Sequence, residues 1–207
     1  MDNITTSNYN ASTRTKVAVL AGTALASGLC VANMMRRGNI KHVKNLEMGI
    51  REGIDLCCAS TLGGLSAGIL VDDKKNRKAK LKDSVNQLVG NTFIPFGFLA
   101  IANKLTKKLP MVWQTLIAIG TLFGTTFLGH GVANKINEKV FKEDSNYKTG
   151  FKDFATDFDD LFFAASTVMK SKRLYQFTAT ICPITYMTHG YLAGCRQEDK
   201  RKLDKTI

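Results

Sequence analysis

The chain has 207 residues, 44% of them hydrophobic, with 29 Lys+Arg against 17 Asp+Glu and a net charge of +12. That length holds one domain or one compact membrane bundle, and the positive excess calls for an anionic counterpart, either nucleic acid or a lipid surface. The position of the charges decides between them: runs 17–35, 56–71, 84–103, 109–134 and 174–195 contain no Lys, Arg, Asp or Glu.

About 20 uncharged, mostly apolar residues are what a helix needs to cross a hydrocarbon core about 30 Å thick. Helices of soluble proteins show a charged face every few residues instead. The predicted fold class is therefore all-α, a multi-pass transmembrane helical bundle of five spans plus one amphipathic, interfacial helix. A six-span version, built as two related three-helix units, is the variant. A soluble all-helical bundle stays as the alternative, because the mean hydropathy is only -0.07.

Residues 1–16 are polar and lack periodicity, so they read as a disordered tail. Arg14, Lys16 and the small residues at 24–26 outline a cleavable signal, yet the apolar run continues to Met35, which predicts a retained span. Asn3 and Asn10 begin two glycosylation sequons of a kind that recurs by chance. After the first span, Ile40, Val43, Leu46, Ile50 and Ile54 fall near helical spacing, which predicts an amphipathic helix leading into the second span. That span carries Gly64-x-x-x-Gly68, a spacing that lets helix backbones approach in lipid.

The linker 72–83 concentrates Lys74, Lys75, Arg77, Lys78, Lys80 and Lys82. These are candidate contacts for anionic headgroups, at about 1 kcal/mol per well-placed residue, or a plain topogenic signal. Nucleic acid is not expected, since no aromatic residues interleave the charges. The third span holds Asn86, Gln87 and Asn91, which should face other helices or water, and Pro95, which predicts a kink.

Pro110 starts the fourth span, which carries Gly120-x-x-x-Gly124 and His130; both glycine pairs are expected to pack helices within the chain, with a homodimer face as the sharper reading. In 151–169, an apolar stripe of Phe151, Phe154, Ala155, Phe158, Leu161, Phe162 and Ala165 is flanked by Asp153, Asp157, Asp159 and Asp160. It reads as a helix at the membrane interface with a solvated acidic face. The last span, 174–195, contains Gln176, Pro183 and His189, and residues 196–207 form a basic tail. The five cysteines lie inside the apolar runs without metal-ligand spacing and behave as small apolar residues.

Three echoes recur in order: Val31-Ala32-Asn33 and Val132-Ala133-Asn134; "DLCCAST" from Asp55 and "DLFFAAST" from Asp160; Gln87 with Pro95 and Gln176 with Pro183. They mark candidate repeat units 17–103 and 109–195 within a membrane domain 17–195, unless shared lipid-facing composition produced them. Asp55 and Asp160 are expected to pair structurally where their helices begin.

No nucleophile–base, phosphate-loop or zinc motif is present. The expected function is a non-enzymatic integral membrane protein of structural or interaction type, without cofactor or metal, whose partners are the bilayer and anionic lipids. The alternative is a small-solute transporter or channel lined by Asn86, Gln87, Asn91, Gln176, His189 and His130. A third reading, an intramembrane enzyme centred on the histidines, ranks last. The Lys/Arg balance puts the N-terminus in the cytoplasm on either span count.

Overall fold

The computed structural model describes residues 11–142, 158–169 and 171–195. Helix α1 (Thr13–Arg37) begins ahead of the apolar run, inside the stretch expected to be tail, because Ser12 Oγ accepts the Thr15 amide at 3.1 Å. Its buried face is Thr15, Val19, Thr23, Ser27 and Val31, a stripe with four-residue spacing. Val17, Leu20, Leu25 and Leu29 point outward. Hydroxyls in and aliphatics out suits a helix that packs by close approach among its neighbours.

The amphipathic helix expected from Ile40 to Ile54 does not form. Gly38 ends α1, and Asn39 adopts a left-handed φ of 51°, which an Asn side chain tolerates. The chain then makes one 3-10 turn (Val43–Asn45), and buried Leu46 and Met48 anchor it two residues apart. Helix α2 (Ile50–Val71) starts only where the Glu52 carboxylate accepts the Gly49 amide at 3.1 Å.

The basic linker forms a 3-10 turn (Lys74–Asn76) and helix α3 (Arg77–Val85). A π-helical segment (Asn86–Phe93) continues it into α4 (Ile94–Leu105). The distortion predicted from Pro95 thus appears as widened turns upstream of it. Proline supplies no N–H and its ring crowds the carbonyl four residues back, and a π turn moves the pairing one residue further. Thr92 Oγ1 donates to the Gln87 carbonyl, five residues back, at 3.0 Å.

Helix α5 (Met111–Phe141) follows Pro110 and ends at Lys142, whose φ is 55°. Helix α6 (Phe158–Met169) is the described part of the acidic, aromatic stretch; Phe151, Asp153, Phe154, Ala155 and Asp157 lie outside the described residues. Its buried face is Asp160, Phe163, Ala164 and Ser166, not the expected stripe, whose Leu161, Phe162 and Ala165 are half-buried. The final apolar run forms α7 (Lys172–Thr185) and α8 (Met187–Cys195), interrupted at Tyr186 three residues after Pro183.

Among the described residues, four helices are long and apolar enough to cross a membrane: Thr13–Arg37, Ile50–Val71, the continuous Lys74–Leu105 and Met111–Phe141. No strand occurs among the described residues. One end of the bundle gathers the start of α1, the end of α2, α3, and the ends of α5 and α8: Lys80 bonds to the Gly194 carbonyl and the Lys82 ammonium lies 5.7 Å from the Phe141 ring centre. The opposite end joins α1 to α2 through Arg37–Asp55 at 3.3 Å, and α4 to α6 through Asn103 Nδ2 donating to Thr167 Oγ1 at 3.0 Å. Lys142 and Met169 therefore stand at opposite ends. Between them, Phe96 and Phe163 meet edge to face at 5.1 Å in a core with Met48, Leu56 and Leu99.

Candidate functional site in the buried polar interior

Glycine places the helices. Gly22 and Ala26 of α1 meet Gly63 and Ala67 of α2: a Cβ on Gly22 would lie 2.8 Å from the Gly63 carbonyl oxygen and 2.6 Å from the Ala67 methyl. On the adjacent face of α2, Gly64 lies against the backbone of Gly190 and Gly68 against that of Gly194. Gly64 and Gly68 thus approach Gly190-x-x-x-Gly194, a pair of the same spacing. Gly120 and Gly124 differ: a Cβ there has nothing within 4 Å, so among the described residues no helix packs on them. They sit on the outward face of α5, which Leu116, Ile117 and Leu128 also expose.

The two similar words converge on one residue. Tyr186 is 0% exposed and occupies the break between α7 and α8. Ser60, from the first word, donates to its carbonyl at 2.6 Å and accepts the Gly190 amide at 3.3 Å. Asp160, from the second, accepts the Tyr186 hydroxyl at 2.9 Å. Asp160 is buried, which corrects its expected place on a solvated acidic face. Asp55 pairs with Arg37 as expected. Tyr186→Phe keeps the ring contacts with Phe96, Phe163 and His189 but removes a donor to a buried carboxylate. A hydrogen bond to a charged group contributes about 2 kcal/mol, so the variant should unfold earlier by that amount in detergent; an unchanged melting profile would refute the assignment.

A second seam runs between the π segment and α5. Asn137 Nδ2 donates to the Lys82 carbonyl and to Asn86 Oδ1, each at 3.2 Å, and Asn91 Nδ2 donates to Gln87 Oε1 at 3.0 Å. Gly90 lets the π segment approach Gly129 and the His130 ring. The structure therefore places Asn86, Gln87 and Asn91 on one π segment, joins Asn86 to Asn137 of α5, a residue the sequence did not single out, and sets the His130 ring against Gly90. His189 lies on α8 at the Tyr186 node, its ring 5.7 Å from that of Tyr186. Gln176 does not join them: it lines a cleft with Lys44 and Lys172 at the opposite end. Among the described residues no three His, Cys, Asp or Glu side chains are arranged to hold a metal ion.

The basic linker divides. Lys74, Lys75, Arg77 and Lys78 are exposed and Lys82 is half-buried, but Lys80 is 0% exposed and cannot be a headgroup contact. Its ammonium lies 2.9 Å from the Asp72 carboxylate and also donates to the Gly194 carbonyl. Burial of a Lys requires such pairing, and helical spacing puts Lys80 on the inner face of α3 with Ser84. No protein-family model, curated protein or solved structure matches this chain.

Proposed function

We propose that the chain is a non-enzymatic integral membrane protein of structural or interaction type, whose basic surface faces anionic lipid headgroups. The observation that carries this reading is the pairing of an outward apolar belt, including Leu25, Leu62, Phe98, Trp113 and Leu128, with exposed Lys74, Lys75, Arg77 and Lys78 at one end. The opposite positions of Lys142 and Met169 favour six crossings, and the Lys/Arg balance favours a cytoplasmic N-terminus. The outward Gly120–Gly124 face suits a second copy of the chain.

The test uses the full chain in nanodiscs of phosphatidylcholine with or without phosphatidylglycerol. Replacing Lys74, Lys75, Arg77 and Lys78 with Gln should weaken phosphatidylglycerol retention, by about 1 kcal/mol per residue at low salt, and the difference should shrink as salt rises. Equal retention by both proteins would reject the reading.

A second reading, a small-solute transporter of two inverted three-helix repeats, draws on the swapped contacts. The third segment of the first half meets the first helix of the second through Gly90 and Gly129. The last segment of the second half meets α1 through Gly190 with Thr23 and Gly194 with Val19. Interrupted helices at mid-depth suit such a protein. Against it stands the separation of Gln176 from Asn86, Gln87 and Asn91.

A further inference from the structure

We propose that the cleft between the Val43–Asn45 turn and the first turns of α7 binds the phosphoethanolamine headgroup of a membrane lipid, an inference that rests on the membrane reading above. The cleft has a volume of about 480 Å³ and lies at the end of the bundle opposite Lys74–Lys78. That volume falls in the range of small-molecule sites. Lys44 and Glu47 enter it from the α1–α2 connection; Lys172, Tyr175 and Gln176 enter from one face of α7, at three- and four-residue spacing.

The charges carry the argument. Arg37, Lys75 and Lys80 pair with Asp55, Asp73 and Asp72. Lys44, Glu47 and Lys172 share one cleft yet form no ion pair or hydrogen bond with each other or with any other described side chain. Two ammonium groups and one carboxylate lining one cleft match a zwitterion: the lysines take the phosphate, and Glu47, near the Tyr175 hydroxyl, takes the primary ammonium. A choline headgroup offers Glu47 no N–H, and a glycerol headgroup offers it no charge. Lys and Tyr at the start of a crossing segment also stand at headgroup depth.

The experiment reads lipid occupancy by native mass spectrometry of the full chain released from nanodiscs of mixed phosphatidylcholine, phosphatidylethanolamine and phosphatidylglycerol. Phosphatidylethanolamine should be retained over phosphatidylcholine, and Lys44→Gln with Lys172→Gln should lower its occupancy roughly tenfold while leaving phosphatidylglycerol retention dependent on Lys74–Lys78. Glu47→Gln should turn the cleft's preference from phosphatidylethanolamine to phosphatidylglycerol. A chain that inserts and retains phosphatidylglycerol but treats phosphatidylethanolamine and phosphatidylcholine alike overturns this assignment alone. A chain that stays out of the nanodisc overturns the membrane reading with it. Occupancy by free O-phosphoethanolamine equal to that of the lipid assigns the cleft to a soluble ligand and overturns the lipid assignment.

Discussion

Gly64→Ala is expected to destabilise the protein by at least about 3 kcal/mol, while Gly124→Ala leaves it unchanged or slightly more stable. A methyl on Gly64 would run into the carbonyl of Gly190, and the next atoms it meets are the Gly190 carbonyl carbon and Thr23 Oγ1, at 2.7 Å. Backbone cannot swing away as a side-chain tip can, so α8 has to separate from α2 along its length. Overpacking a filled interior costs about 1–3 kcal/mol and more where nothing yields. Gly124 has open space around its α-carbon, so alanine there brings only its helix preference, worth up to about 1 kcal/mol. Thermal unfolding of both variants in the same detergent checks the pair. Equal melting temperatures would show that the α2–α8 approach does not hold the fold.

The same contrast shows what a sequence reveals and what it withholds. Gly64-x-x-x-Gly68 and Gly120-x-x-x-Gly124 are alike as text, and both were expected to pack helices. Spacing tells which residues share a face of a helix, and not which neighbour covers that face. Gly190-x-x-x-Gly194 repeats the spacing and is the partner of Gly64-x-x-x-Gly68. The charge-free runs announced long apolar helices, because a missing charge is a local fact that needs no partner. The connection at 38–49 departs from the expected helix for a related reason. Ile40, Val43 and Leu46 fit a helical stripe, but Leu46 and Met48 serve as well as a pair of anchors, and Gly38-Asn39 had already stopped α1.

The candidate site was legible only in part. Asn86, Gln87, Asn91 and His130 stand out as polar groups within apolar runs; Asn86 bonds across the seam to Asn137, Gln87 and Asn91 bond to each other, and His130 lies against Gly90. Asn137 escaped because it lies beyond the fourth charge-free run, between Lys135 and Glu138. Its partner, Asn86, is distant in sequence. "DLCCAST" and "DLFFAAST" were seen as a related pair, and Asp55 was expected to find a cation. That Ser60 and Asp160 hold the same Tyr186 follows only from the break in the last segment, which brings its backbone to one word and its hydroxyl to the other.

Lys80→Met is expected to cost about 3–5 kcal/mol, the usual consequence of removing one partner from a buried ion pair. Lys80 stood in the sequence as one of six similar basic residues, and only its helical phase separates it from exposed Arg77 and Lys78. In the fold its ammonium joins three elements: Asp72 at the end of α2, the Gly194 carbonyl at the end of α8, and α3, which carries it. Methionine fills the volume and takes the Lys80 ammonium away from the Asp72 carboxylate. Asp72 Oδ1 also accepts the Asp73 amide at 2.8 Å and Asn76 Nδ2 at 3.2 Å, so the double variant Lys80→Met, Asp72→Leu should recover part of the loss and not all of it. Those two bonds hold the turn that leads into α3 whether or not Lys80 is present. Thermal unfolding of the two single variants and the double variant gives the coupling between the residues directly. A coupling near zero would mean that the pair contributes nothing beyond its separate parts. A large one would make Lys80 the clamp that fixes the end of the last helix against α2 and sets the direction in which Lys74, Lys75, Arg77 and Lys78 face.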